Sequence, residues 1–186
     1  MNKAILAILA ILSLNAFAQK EPLVTPYAVP IDSITGLITY EGVIEVKSVS
    51  AGELYHRMSE WFNSYFKNPT EVIRENDSLK FAMVGKPRFR LSNPPGKDGL
   101  KTDGGTVQYT ISVAARDGRF RYELTAFNWK QLSYYPCERW MDTQAKSYAP
   151  VFNDYLQQLD KTSLEVINSL KNAMSMEKPV KDRDNW

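Results

Sequence analysis

The sequence predicts an α+β domain in which two amphipathic helices cover one face of an antiparallel sheet. Three observations carry this: a helix-start signal at Ser50 followed by an apolar stripe, two alternating runs joined at Asp117-Gly118, and a second apolar stripe after Pro150. The expected order is β-α-β-β-β-β-α, a sheet of about five strands.

The chain opens on a leader pattern. Lys3 precedes a mostly apolar run over residues 4–14, and Ala16-Phe17-Ala18 is the small-x-small sequence a signal peptidase accepts. Cleavage is expected after Ala18, giving a periplasmic or secreted protein. The run is shorter than the roughly 20 apolar residues that span a bilayer, and no later segment approaches that length, so no transmembrane segment is expected. Without a cysteine at the cleavage point, the lipid-modified export signal is not indicated.

Residues 19–36 carry Pro22, Pro26 and Pro30 and read as an extended lead-in. Asp32-x-x-Thr35-Gly36 reads as a turn supported by the aspartate side chain, with glycine free to take positive φ. A strand follows over 37–46, with Ile38, Tyr40, Ile44 and Val46 on its buried face and Gly42 marking a bulge or a close backbone contact. Ser50-Ala51-Gly52-Glu53 is a capping box. Leu54, Met58, Trp61, Phe62 and Tyr65 then recur on one helical face until Asn68-Pro69. Strand-like runs at 71–75 and 79–91 flank the turn-forming Asn76-Asp77-Ser78, and 92–105 reads as a mobile loop. Runs at 106–115 and 119–127 alternate cleanly around Asp117-Gly118, with Phe120, Tyr122, Leu124 and Ala126 sharing a face. Residues 128–149 carry no assignable period. From Pro150 a long helix places Phe152, Leu156, Leu159, Val166, Ile167, Leu170 and Met174 on one stripe, with 160–163 as a weak spot. The domain is expected to end at 175, with 176–186 a flexible tail.

Removing 18 of 186 residues leaves 168, the size of one domain, and removing Lys3 takes the formal charge from +2 to +1. No global field draws this chain to nucleic acid. Cys137 is the single cysteine, so no internal disulfide forms.

Val29-Pro30, Asp32, Thr35-Gly36-x-Ile38-x-Tyr40, Val43, Leu54-Tyr55, Arg57, Trp61-Phe62, Val72-Ile73, Asp77 and Gly85 resemble DUF4468, a family of exported bacterial domains of unknown function. The resemblance covers roughly residues 29–115 and implies a TBP-like fold. It supplies no activity and no catalytic residues, and a shared fold does not imply a nucleic-acid ligand.

Candidate chemistry is sparse. A thiolate and its base need to lie together, and nothing local joins Cys137 to His56. Zinc takes four ligands, usually Cys or His, and the chain has two such residues. The acidic loop with Asp98 and Asp103 matches no standard calcium spacing. Glu41 and Glu45, four apart on one strand, stand about 13 Å apart, too far for paired-carboxylate glycoside hydrolysis. No metal, cofactor or catalytic residue is therefore expected. The aromatic segment 127–140 is the candidate binding surface, through Trp129, Tyr134, Tyr135, Arg139 and Trp140, for a protein or glycan ligand in the cell envelope. The competing reading seats these aromatics as a lid on the sheet beneath the last helix. The expected role is non-catalytic binding. The alternative is an assembly protein pairing through its open sheet face or edge, with a hydrolase as a remote third.

Overall fold

The computed structural model describes residues 25–130 and 133–176. The leader with its Ala18 site, residues 19–24 and the tail from 177 onward lie outside the described residues.

The lead-in turn forms as its residues require. Asp32 Oδ1 accepts from the Ile34 and Thr35 amides at 2.8 and 2.7 Å, and Gly36 takes φ 71°. The turn folds the lead-in back so that Ile31 bridges Ile38. Strand β1 spans Tyr40–Glu45, shorter than expected, and Ile38, Tyr40 and Val46 are buried. Gly42 marks a close contact and not a bulge: β1 pairs in unbroken register, and a Cβ there would stand 2.7 Å from the Tyr122 hydroxyl.

Helix α1 spans Ala51–Tyr65, and Ser50 Oγ accepts from the Glu53 amide at 3.2 Å. The reciprocal half of the capping box is replaced. Glu53 bonds Arg57 Nε at 2.9 Å, and the Ala51 amide donates to Asp117 Oδ1 at 2.7 Å. Arg57 also sends Nη1 to the Met174 carbonyl at 2.9 Å, where its charge suits the carbonyl end of a helix.

Pro69 begins a short helix, α2, Pro69–Val72, in place of the expected start of a strand; proline suits a first helical turn. Strand β2 then covers Ile73–Asp77. The run expected at 79–91 divides into β3, Ala82–Gly85, and β4, Arg88–Ser92. Pro87, which has no N–H to donate, lies in the break, and both halves pair with β5, Asp103–Arg116. β5 thus takes in the end of the segment read as a loop. It turns through Asp117-Gly118 into β6, Arg119–Lys130, and β7, Tyr134–Pro136, pairs with the end of β6. A 3-10 turn at Cys137–Met141 leads toward α3, Val151–Ser175.

Among the described residues seven strands, not five, form one antiparallel sheet, along the path β1-β6-β5-β3-β2 with β4 on β5 and β7 on β6. The extra strands come from the Pro87 break and from β7. Both long helices pack into one core with the sheet's inner face, and every residue of the expected α3 stripe is buried. The weak spot at 160–163 is continuous helix. Asp160 there receives the hydroxyls of Tyr27 and Tyr40 at 2.9 and 2.8 Å.

Candidate functional site

A bulge in β6 decides which way the aromatic segment faces. The β5–β6 register slips between Gln108 and Thr110, with Gln108 opposite Asn128 and Thr110 opposite Thr125, and Ala126 takes φ 54°. Ala126 therefore does not continue the face of Phe120, Tyr122 and Leu124. The extra residue reverses the alternation, so Phe127 and Trp129 point into the core.

The five candidate residues consequently do not form one patch. Trp140 is fully buried, and Trp129, half-buried, lies 5.7 Å from it ring to ring, both against Phe152 and Tyr155 of α3. Trp129 Nε1 donates to the Gly104 carbonyl at 2.9 Å, and Gly105 at φ 95° leaves room for the indole, which a Cβ would meet at 2.5 Å. Tyr135 packs edge-on to Trp129, and the Arg139 guanidinium lies 5.3 Å over the Tyr135 ring. Tyr134 alone stands on the opposite face, 59 % exposed. The lid reading thus describes Trp129, Tyr135 and Trp140, while Tyr134 and Arg139 reach solvent.

Tyr134 joins residues the sequence reading passed over. Cross-strand register sets Arg90, Thr106, Lys130 and Tyr134 in one row, and Arg88, Gln108 and Asn128 in the next, all on the face away from the helices. Arg88, Arg90, Thr106, Lys130 and the edge of Phe89 line a shallow depression of about 330 Å³. No described carboxylate pairs with Arg88, Arg90 or Lys130. Asp103, close by on β5, turns Oδ1 to the Gly105 amide, and its charge helps to raise the pKa of Tyr155, after burial, on the helix side. The Tyr134 hydroxyl donates to Gln108 Oε1 at 3.4 Å. The signal available in the sequence was Arg88-x-Arg90, a strand with two cations on one face, and Lys130 ending β6, two strands away across β5.

At the other end of the open face Arg121 bridges Glu41 and Glu123 at 2.8 and 3.2 Å beside the exposed Val43, while Arg116 and Arg119 line a second depression of about 400 Å³ and make no ion pair among the described residues.

Cys137 is buried, and burial foremost pushes its thiol well above the ordinary value, with the Glu138 charge adding to this. His56 is exposed on α1 and pairs with Glu60 at 3.2 Å. Asp98 and Asp103 each close a local turn, onto the Leu100 and Gly105 amides. Among the described residues no three His, Cys, Asp or Glu side chains cluster as metal ligands, and no helix is long and apolar enough to cross a membrane.

The model of DUF4468, a domain of unknown function with a TBP-like fold, matches residues 40–130. These residues match the DUF4468 family. The family segment runs from β1 to the end of β6, so it contains Arg88, Arg90, Thr106 and Lys130 and stops short of Tyr134. Two solved structures are similar. A DUF4468 family protein from Bacteroides ovatus aligns with TM-score 0.64 at 14 % identity, over 80 % of this chain and 94 % of its own. A TBP-like protein from Parabacteroides distasonis aligns with TM-score 0.50 at 13 % identity, over 77 % and 97 %. At such identities the likeness is one of fold. No curated protein matches the chain.

Proposed function

We propose that this protein is an exported, non-catalytic binding domain that takes its ligand on the open face of the sheet, at the end built from β4 to β7. One observation carries the reading. Arg88, Arg90 and Lys130 surround a concave surface with no described carboxylate to neutralise them, and Tyr134 stands exposed beside them. A surface serving only for solubility intersperses both signs, as Arg121 does between Glu41 and Glu123; Arg116 and Arg119 line a depression at the far end, but among the described residues no exposed aromatic ring stands there, so Tyr134 is what sets the β4–β7 end apart. Export rests on the leader pattern ahead of Gln19. The lack of a catalytic role is supported by the burial of Cys137 and by its protonated state, since the thiolate is the reactive form.

The test is retention of the chain on immobilised envelope polysaccharide and protein fractions. Loss of retention in Tyr134→Ala combined with Thr106→Glu, with Val43→Ser at the other end unaffected, supports the reading. Retention that ignores the double variant, or that only Val43→Ser abolishes, overturns it. Amino-terminal sequencing of the protein recovered from cells checks export, with Gln19 as the expected first residue and Met1 as the contrary result.

A further inference from the structure

We propose that the ligand of this face is an acidic oligosaccharide, a sugar chain carrying carboxylates at intervals, which lies across β4, β5, β6 and β7. The inference rests on the binding role proposed above and names its chemistry.

Three kinds of side chain share the surface, each matched to one part of such a ligand. Arg88 and Arg90 on β4 and Lys130 on β6 supply charge for carboxylates. An arginine offers a planar fork that meets a carboxylate with two parallel hydrogen bonds, and a lysine offers a mobile point charge. With neighbouring strands about 4.8 Å apart, β4 and β6 stand roughly 10 Å apart, so the cations suit acids spaced along a chain better than one small anion. Thr106 and Gln108 sit on β5 between the cations, and their hydroxyl and amide match sugar hydroxyls. With the Gln108 carbonyl oxygen facing Tyr134, its Nε2 protons remain for a ligand. Tyr134 closes the row with an exposed ring, against which a sugar face packs through its C–H groups.

Alternative ligands fit this surface less well. A peptide bound across the sheet would call for apolar pockets at alternate positions, and the lining offers only the edge of Phe89. Nucleic acid would need the basic field to continue along the face, and Glu41 and Glu123 interrupt it at Arg121, ahead of Arg116 and Arg119.

The experiment uses the chain from Gln19 onward, titrated with oligogalacturonate and with the fully methyl-esterified form of the same oligomer, while calorimetry and residue-resolved amide shifts are recorded. The acidic oligomer is expected to shift amides of β4, the start of β5 and the end of β6. The neutral ester should bind at least about tenfold more weakly, the loss expected for one charge-assisted contact. Arg90→Ala and Lys130→Ala should each weaken binding by about tenfold. Tyr134→Ala should weaken the acidic and neutral forms by the same factor, and Glu41→Gln should leave both unchanged. Raising salt from about 50 to about 500 mM should weaken the acidic form alone.

Inorganic polyphosphate is the second probe. If it bound as tightly and were indifferent to Tyr134→Ala, charge alone would account for the site and the glycan assignment would be wrong. Failure of oligogalacturonate to bind also overturns it. A different ligand that depends on Tyr134 and ignores Arg90→Ala would sink this inference and leave the proposed binding role standing. Amide shifts confined to the helix side would sink both.

Discussion

Trp140 has its ring in the core and its indole N–H without a hydrogen-bond partner among the described residues. Truncation and conservative replacement should therefore separate widely. Trp140→Ala leaves a cavity among Trp129, Phe152 and Tyr155 and is expected to cost about 3–5 kcal/mol. Trp140→Phe removes the unpaired N–H along with part of the ring, and should cost less than about 2 kcal/mol because the two effects oppose. Chemical denaturation of both variants measures the difference, and equal losses would mean that the N–H is satisfied. At the surface, Asp32 accepts from three donors of its own turn, foremost the Thr35 amide, which holds its carboxyl below the ordinary value of 3.8. A depressed carboxylate steadies the turn above 3.8 and loses that contribution as pH falls through the folded value. The Ile34 and Thr35 amide signals should thus titrate with a midpoint below 3.8. A midpoint at or above 3.8 would show that these bonds do not persist in solution.

The elements that periodicity foretold are those whose faces see one environment along their length. Helix α3 is one: its stripe from Phe152 to Met174 is unbroken, and Asp160, which reads as a weak point, is polar because two tyrosine hydroxyls bond it. Strand β6 is the counter-example. Its pattern changes phase at Ala126, whose positive φ costs an alanine roughly 1–2 kcal/mol relative to glycine. Ala126→Gly should accordingly raise stability by about 1 kcal/mol in thermal or denaturant unfolding, with Trp129 fluorescence unchanged. A loss of stability would mean that the alanine methyl packs well enough to outweigh the strain. The bulge is also why the aromatic segment resisted assignment: 127–140 reads as one surface when the alternation is carried through Ala126, and as two once the phase reverses.

Across the whole molecule, the lead-in is fastened to the last helix. Tyr27 packs against the core, its amide donates to Asn153 Oδ1, and its hydroxyl shares the Asp160 carboxylate with Tyr40. Asp160→Ala strands one buried and one half-buried hydroxyl and is expected to cost about 1–3 kcal/mol. Proteolysis around residues 25–30 should also quicken, and an unchanged rate would show that the strap is held by other contacts. The same scale holds the candidate site, because Arg88, Arg90, Thr106, Lys130 and Tyr134 are spread over 47 positions from 88 to 134 and meet only through register. All but Tyr134 are unremarked in sequence, where an arginine on a strand is a solvated side chain until its neighbours are known. The α+β class, the capped first helix, the Asp117-Gly118 hairpin and the stripe of α3 are legible in the chain alone, since these follow from spacing and local hydrogen bonding over a few residues. It takes the folded sheet to show that Pro87 divides one strand into two, that Ala126 turns Phe127 and Trp129 inward, and that three cations gather around one depression. Those outcomes depend on which strands become neighbours, and pairing is set by the burial of the whole inner face rather than by any one stretch of chain.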